Sequence, residues 1–169
     1  HKYADAVTDL GMIKAAQSFL KGSNIFQLLA RGGLAAAKLD MKEAMKILVD
    51  SEMKMFKGLS TPVIFLQNVV ADLLLGIGYP QIFKDFEEYV NKKFNAEAGL
   101  ITMNLPAMLD GLEASGIENP IICSNLNKIG FRMCGGKAKY EQVLKERQFR
   151  PIAMSVFASG AISPAEAIE

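Results

Sequence analysis

The sequence has few of the residues that build several common kinds of site. It contains one histidine, which is residue His1, two cysteines and no tryptophan. A single histidine at position 1 offers neither a Ser-His-Asp triad nor a histidine-based zinc site. Cys123 and Cys134 do not form a Cys-x-x-Cys pair, so we expect two buried, reduced thiols and neither a metal-binding cysteine motif nor a disulfide framework. The 19 basic and 18 acidic residues leave no excess positive charge for nucleic acid.

The sequence also lacks a long uninterrupted apolar run. Its most apolar window, Leu59 to Gly78, is broken by Gln67, Asn68 and Asp72, whereas a transmembrane helix needs about 20 predominantly apolar residues. No signal-peptide pattern precedes this window. We therefore expect a cytoplasmic protein that does not contact a membrane and keeps its cysteines reduced.

What the sequence does contain is a globular composition, with 50% hydrophobic and 22% charged residues. Apolar residues at helical spacing predict helices over Asp5–Leu20, Met41–Phe56, Gln81–Phe94, Pro106–Ser115 and Lys137–Gln148. Between them lie short apolar runs typical of buried parallel strands, and these start at Asn24, Val63, Gly99, Ile121 and Ile152. The last run, Ile152 to Phe157, is predicted to be buried on both faces.

Strict alternation of short strands and helices predicts an α/β fold with a parallel sheet, either an open doubly wound sheet or an eight-stranded (β/α) TIM barrel. The five strand starts are 39, 36, 22 and 31 residues apart, a mean of 32. Eight such units make about 256 residues, the usual size of the barrel. We therefore predict that residues 1–169 form a single (β/α) domain, an incomplete barrel with about five strands that lacks its first and last ones. A partner copy or the missing segments would cover its strand edges.

The end of the sequence carries a second set of signals. Ser163, Pro164 and Glu166 have the spacing of a helix start, with a hydroxyl N-cap, proline at the first helical position and a glutamate that closes a capping box. A strand that leads through small residues into such a helix can leave backbone amides available. These amides predict a site for a phosphate or a carboxylate.

This stretch also resembles a known family of loops. Ser155–Glu169, with its Ser-Gly turn followed by Ser-Pro-Ala-Glu-Ala, is similar to the seventh strand and following loop of phosphate-binding TIM barrels. It is also similar to the loop that approaches the cofactor pyrophosphate in aldo-keto reductases. The first resemblance implies that the Ser159 and Gly160 amides hold an anion, and the second implies a nicotinamide cofactor. The sequence alone identifies no cofactor.

In a parallel barrel, ligand-binding groups lie at the carboxyl ends of the strands. The polar residues that follow the apolar runs are therefore candidate ligand-binding residues: Asn68, Asn104, Ser124, Asn125, Asn127, Ser155, Ser159 and Gly160. Amides and hydroxyls suit hydrogen bonding to a polar ligand better than metal binding, so we predict no metal site. The alternative is that these side chains cap helices or satisfy loop backbone.

Three charged residues complete the candidate site. Lys128 follows the fourth apolar run, and desolvation by Ile129 and Phe131 would make it a nucleophile; the alternative is a solvated loop lysine. Arg132, before Cys134-Gly135-Gly136, is a candidate anion contact because its planar fork matches phosphate or carboxylate. Asp72, isolated among apolar residues, is a candidate general base or a helix cap.

These residues support three hypotheses. The first is an aldolase- or isomerase-like enzyme that binds a small anionic metabolite, with Arg132 holding the anion and Lys128 or Asp72 performing the chemistry. The second is a nicotinamide-dependent oxidoreductase, and the third is a non-catalytic barrel module. The fold alone does not decide among them, because this barrel carries many chemistries.

Overall fold

A computed structural model describes residues 41–168. The chain divides into two units, one that ends at Leu59 and one that begins at Ser60. The helices are α1 (Met41–Met53), α2 (Asn68–Gly76), α3 (Gln81–Phe94), α4 (Leu105–Ala114), α5 (Lys137–Glu146) and α6 (Pro164–Ile168), with 3-10 turns at Lys54–Phe56 and Ala158–Gly160. The strands are β1 (Val63–Leu66), β2 (Glu97–Thr102), β3 (Ile121–Asn125) and β4 (Arg150–Met154).

The four strands form one parallel sheet in the order β1-β2-β3-β4, and this sheet is not closed. Each strand therefore pairs with its neighbour in sequence, through connections that contain one or two helices. This confirms the predicted α/β class with a parallel sheet. The predicted segments Asp5–Leu20 and Asn24–Ala30 lie outside the described residues.

The pairing register assigns the side chains to two faces. Leu100 of β2 pairs with Ile122 of β3, and both are buried, as is Leu66 opposite Leu100 in β1. Helices α2 and α3 both pack against β2, so this face forms the core with the helices. The alternate residues form the other face, where Phe65 is 36% and Ile152 is 43% exposed.

Helix α3 has the boundaries that its apolar stripe predicts. Ile82, Phe83, Phe86 and Val90 are each at most 1% exposed, and burying such a side chain stabilises the fold by about 1.5–3 kcal/mol. The helix ends where Asn95 adopts a left-handed conformation and donates its backbone N–H to the carbonyl of Asn91. Helix α4 contributes four further buried residues to the same core.

One helix was not predicted, and one prediction of local structure is wrong. The residues after β1 form helix α2, which the sequence analysis did not assign. Strand β4 begins at Arg150 and ends at Met154, and its first four residues are exposed, although we expected a strand buried on both faces over Ile152–Phe157. The physical reason is that β4 lies at the edge of the described sheet with only β3 beside it, and Ser155 ends it with a left-handed backbone at φ 54°.

None of the helices within residues 41–168 combines the length and apolar character that crossing a bilayer requires.

Candidate functional site

Two loops at the carboxyl edge of the sheet contain most of the predicted site residues. Residues 126–136 connect β3 to α5, and residues 155–163 connect β4 to α6. The loops are adjacent, because the backbone N–H of Leu126 donates to the carbonyl of Met154 over 3.0 Å. The pKa of Glu166 is lowered by hydrogen bonds from the backbone and side chain of Ser163, and the charge of Lys128 contributes. The start of α6 therefore lies near the β3–α5 loop.

Backbone strain is concentrated in these two loops. The described chain has six non-glycine residues with positive φ, and four of them lie here, namely Arg132 (53°), Ser155 (54°), Ala158 (48°) and Ser159 (58°). The other two are asparagines, which tolerate this conformation better than most residues. A left-handed conformation costs an ordinary residue about 1–2 kcal/mol. Residues in this conformation persist only where the surrounding structure enforces it, and they are found most often at active sites and ligand-binding loops.

The β3–α5 loop is held by two asparagines of the predicted site. Asn125, which is 1% exposed, donates from Nδ2 to the carbonyl of Arg132 over 3.0 Å. Asn127 donates from Nδ2 to the carbonyl of Phe131 over 2.9 Å and accepts from the Phe131 N–H over 2.7 Å. Both side chains therefore support the loop, which is the alternative that the sequence left open for strand-end amides.

Arg132 and Lys128 are the cations of this loop, and both are exposed. The guanidinium carbon of Arg132 lies 5.3 Å from the centre of the Phe131 ring, within the range of a cation–π contact. Among residues 41–168, no carboxylate pairs with Arg132. The apolar shielding that we expected around Lys128 is not found, because Ile129 is 54% exposed and Lys128 itself lies in solvent.

The β4–α6 loop uses several of its amides internally. The Gly160 N–H donates to the carbonyl of Phe157 over 2.8 Å, so it is not directed at a ligand as the resemblance implied. The predicted capping box is confirmed, because Ser163 N–H donates to Glu166 Oε2 over 2.9 Å and Glu166 N–H donates to Ser163 Oγ over 3.3 Å. The backbone N–H of Ser163 is therefore already bonded to the Glu166 carboxylate and is not available to bind an anion. Ser155 and Ser159 are exposed on this loop.

Asp72 lies within helix α2 and joins it to the end of β2. Its carboxylate accepts from Thr102 Oγ1 over 2.5 Å and from the Met103 N–H over 3.0 Å. Burial raises the pKa of Asp72, and these two hydrogen bonds oppose the rise. The direction of the shift is the one expected of a general base, but both carboxylate oxygens already hold the strand end. Asp72 caps no helix.

Tyr140, on helix α5, is a structural residue that was not among the predicted site residues. It is 0% exposed, and its hydroxyl donates to the Met103 carbonyl over 2.7 Å and accepts from the Leu105 N–H over 3.1 Å. Burial is the main cause that raises the pKa of Tyr140 to about 12. The Met103 carbonyl also accepts from the Cys134 N–H over 3.1 Å.

The thiol of Cys134 lies close enough to Asp72 for the two groups to interact electrostatically. The cysteines are less buried than expected, since Cys134 is exposed and Cys123 is half-buried. Partial desolvation of the Cys134 thiol still raises its pKa, and the charge of Asp72 raises it further. Because the thiolate is the reactive form, Cys134 is not activated as a nucleophile. The sequence offers one signal for the contacts among Asp72, Cys134 and Tyr140. A tyrosine among the apolar residues of a helix predicts a buried hydroxyl, and a buried tyrosine hydroxyl needs a hydrogen-bond partner.

The remaining predicted residues lie outside the two loops. Asn68 is the first residue of α2, and Asn104 caps α4 by accepting from the Ala107 N–H over 3.4 Å. Ser124 is 1% exposed and pairs with Thr102 in the sheet register, so it belongs to the helix-covered face. Within the described chain, no three potential metal-ligating side chains converge.

A hollow of about 120 Å³ lies at the opposite, amino-terminal end of the sheet. Arg150 lines it together with Glu97, with which it forms an ion pair of 2.5 Å. Parallel α/β sheets bind ligands outside the carboxyl ends of their strands. We therefore assign the candidate site to the two strained loops and not to this hollow.

The chain was compared with models of protein families, with curated proteins and with solved structures, and none of them matches it.

Proposed function

We propose that this chain belongs to a TIM-barrel-type enzyme that binds a small phosphorylated or carboxylated metabolite between the β3–α5 and β4–α6 loops. The observation that carries the proposal is the exposed guanidinium of Arg132 on a strained backbone, at the edge of the sheet where such folds bind ligands. The four parallel strands in sequential order are compatible with a segment of such a barrel.

Arg132 is an unfavourable residue for its own backbone conformation. At φ 53°, glycine would relieve about 1–2 kcal/mol of steric cost, and the loop already contains three glycines with positive φ. An arginine at this position therefore lowers stability. Its fork of N–H donors can bind two oxygens of a carboxylate or a phosphate, which is a reason to retain it.

Lys128 is the candidate for covalent chemistry in this proposal. In its neutral form, the exposed amine would condense with the carbonyl of a ligand held by Arg132, releasing water and forming an imine, without the activation by burial that the sequence analysis expected. Borohydride reduces such an imine to a stable secondary amine. If incubation with pyruvate and borohydride leaves the mass of the tryptic peptide containing Lys128 unchanged, aldolase-type chemistry with this substrate is contradicted.

Anion binding is tested by thermal unfolding of the purified chain in sodium phosphate, with sodium chloride at equal ionic strength as reference. A ligand at ten times its Kd stabilises the folded state by about 1.4 kcal/mol, which raises Tm by about 4 °C. Phosphate also stabilises proteins by exclusion from their surface, so the informative quantity is the part of the shift that Arg132→Ala removes.

The control is Arg147→Ala. Arg147 lies after α5 and pairs with Asp110 and Glu113, away from the two loops. We expect this variant to keep the full phosphate-dependent shift, whereas Arg132→Ala should lose most of it. Equal shifts in wild type and Arg132→Ala would refute the proposed anion site.

A further inference from the structure

Asn125 is the best-placed residue to control the direction of Arg132. It is the last residue of β3, at the centre of the described sheet edge, and its side chain is 1% exposed. Its Nδ2 donates to the carbonyl of Arg132 over 3.0 Å. A buried amide satisfied by the backbone of one loop residue ties that residue to the rigid strand.

The neighbouring contacts fix the platform on which the guanidinium lies. Asn127 holds Phe131 through both its amide nitrogen and its carbonyl oxygen. The Phe131 ring lies below the guanidinium of Arg132, with 5.3 Å between the guanidinium carbon and the ring centre. Two hydrogen bonds donated by the asparagine side chains and one accepted by Asn127 therefore constrain the backbone at Phe131 and Arg132.

Without these bonds, the strained backbone of Arg132 at φ 53° would relax, because the right-handed and extended regions are lower in energy. Relaxation would move the guanidinium off the Phe131 ring and give it many orientations. A contact that must be ordered again upon binding contributes less affinity than one that is already in place.

We infer that Asn125 is a positioning residue that acts on the anionic ligand through Arg132, by holding the backbone that carries the guanidinium. This inference rests on the proposed function and adds the means by which affinity is set. Asn125 itself does not touch the ligand.

The test is a double-mutant cycle with phosphate affinity as the readout, using wild type, Asn125→Ala, Arg132→Ala and the double variant. We expect Asn125→Ala to weaken phosphate binding about 10-fold in the wild-type background. In the Arg132→Ala background, where no guanidinium remains to be oriented, the same change should alter affinity less than about 2-fold. A merely destabilising change would not show this dependence on Arg132.

A separate readout follows the orientation directly. In the wild type, the ring current of Phe131 should shift the Nε–H proton resonance of Arg132, and Asn125→Ala should abolish that shift while the amide spectrum of the sheet persists. The control is Asn95→Ala, at a left-handed asparagine at the end of α3. It should lower stability and leave both the resonance and the phosphate affinity unchanged.

The outcomes separate the inference from the proposed function. If Arg132→Ala does not weaken phosphate binding, the proposed function fails. If Arg132→Ala weakens binding but Asn125→Ala has no effect, or has an equal effect in both backgrounds, the positioning role of Asn125 is overturned. If Asn125→Ala does not fold, the same cycle with Asn125→Leu, which removes the bond from Nδ2 to the Arg132 carbonyl and keeps a similar side-chain volume, decides between these outcomes.

Discussion

Replacing Tyr140 with phenylalanine should destabilise the protein through one missing oxygen atom. The hydroxyl of Tyr140 connects the end of β2 to the start of α4, because it donates to the Met103 carbonyl and accepts from the Leu105 N–H. After the change, the Met103 carbonyl still accepts from the Cys134 N–H. The Leu105 N–H loses this acceptor at a residue that is 0% exposed.

The expected magnitude follows from that buried donor. A buried polar group without a partner costs about 1–3 kcal/mol, and the ring itself stays in place, so no large cavity adds to this cost. For a domain of this size, the loss corresponds to a decrease in Tm of about 2–12 °C. The free energy of unfolding should fall without a change in the m value, because the folded state buries nearly the same surface.

Urea titration followed by far-ultraviolet circular dichroism measures this loss, since the chain has no tryptophan to report by fluorescence. Tyr89→Phe is the matched control, because it removes the same atom from a hydroxyl whose bond to Lys93 is exposed. We expect the control to change stability by less than about 0.5 kcal/mol. If Tyr140→Phe also stays within that range, the reasoning about the buried donor is refuted.

Three further predictions concern other parts of the structure. Because burial raises the pKa of Asp72 above its ordinary value of 3.8, its titration contributes stability that is fully present below pH 3.8 and is lost as pH rises through the raised folded pKa. The stability of wild type minus that of Asp72→Asn, measured by urea titration, should therefore fall as pH rises above 3.8, and a constant difference would contradict this. An added Cβ at Gly99 would overlap the Phe65 ring, whereas at Gly76 it would meet nothing within 4 Å. In thermal unfolding, Gly99→Ala should therefore lower stability by about 1–3 kcal/mol, and Gly76→Ala should raise it by about 0.5 kcal/mol. The opposite order would show that Phe65 moves aside. Arg132→Gly should be about 1–2 kcal/mol more stable than Arg132→Ala because glycine accepts φ 53°, and equal stability of the two variants would show that the loop relaxes.

Much of the described fold could be predicted because local sequence and tertiary packing agree there. The apolar stripe of α3 gave its boundaries, and Pro164 and Glu166 gave the start of α6. Helix α2 was missed because nearly all its residues are apolar, so no alternation of apolar and polar faces marks it as a helix. Asp72 is its one acid and is too little to define a polar face. In the structure this acid turns toward β2 and binds its end, a contact that links residues 30 positions apart.

Strand β4 shows why burial is harder to predict than strand identity. The predicted run Ile152–Phe157 has the composition of a buried strand. Burial depends on what lies beside a strand, however, and the observed β4, Arg150–Met154, lies at the edge of the described sheet. The small residues that follow do not extend the strand. They form a turn with three non-glycine residues in the left-handed region, which no local propensity favours.

The candidate site was predictable in its place but not in the division of roles. Parallel strands bring Asn104, Asn125 and Asn127 to the same edge, as expected. Each then uses its amide for the protein itself, one as a helix cap and two as supports of a loop. The sequence contains no signal for this division, because a hydrogen bond to a backbone carbonyl seven residues away depends on the path of the loop.

The central claim is that Arg132 binds an anion at the carboxyl edge of the sheet, and isothermal titration with phosphate tests it most directly. At fixed ionic strength, we expect one phosphate per chain, with affinity reduced at least about 10-fold in Arg132→Ala and unchanged in Arg147→Ala. Equal phosphate affinity in wild type and Arg132→Ala would contradict the account.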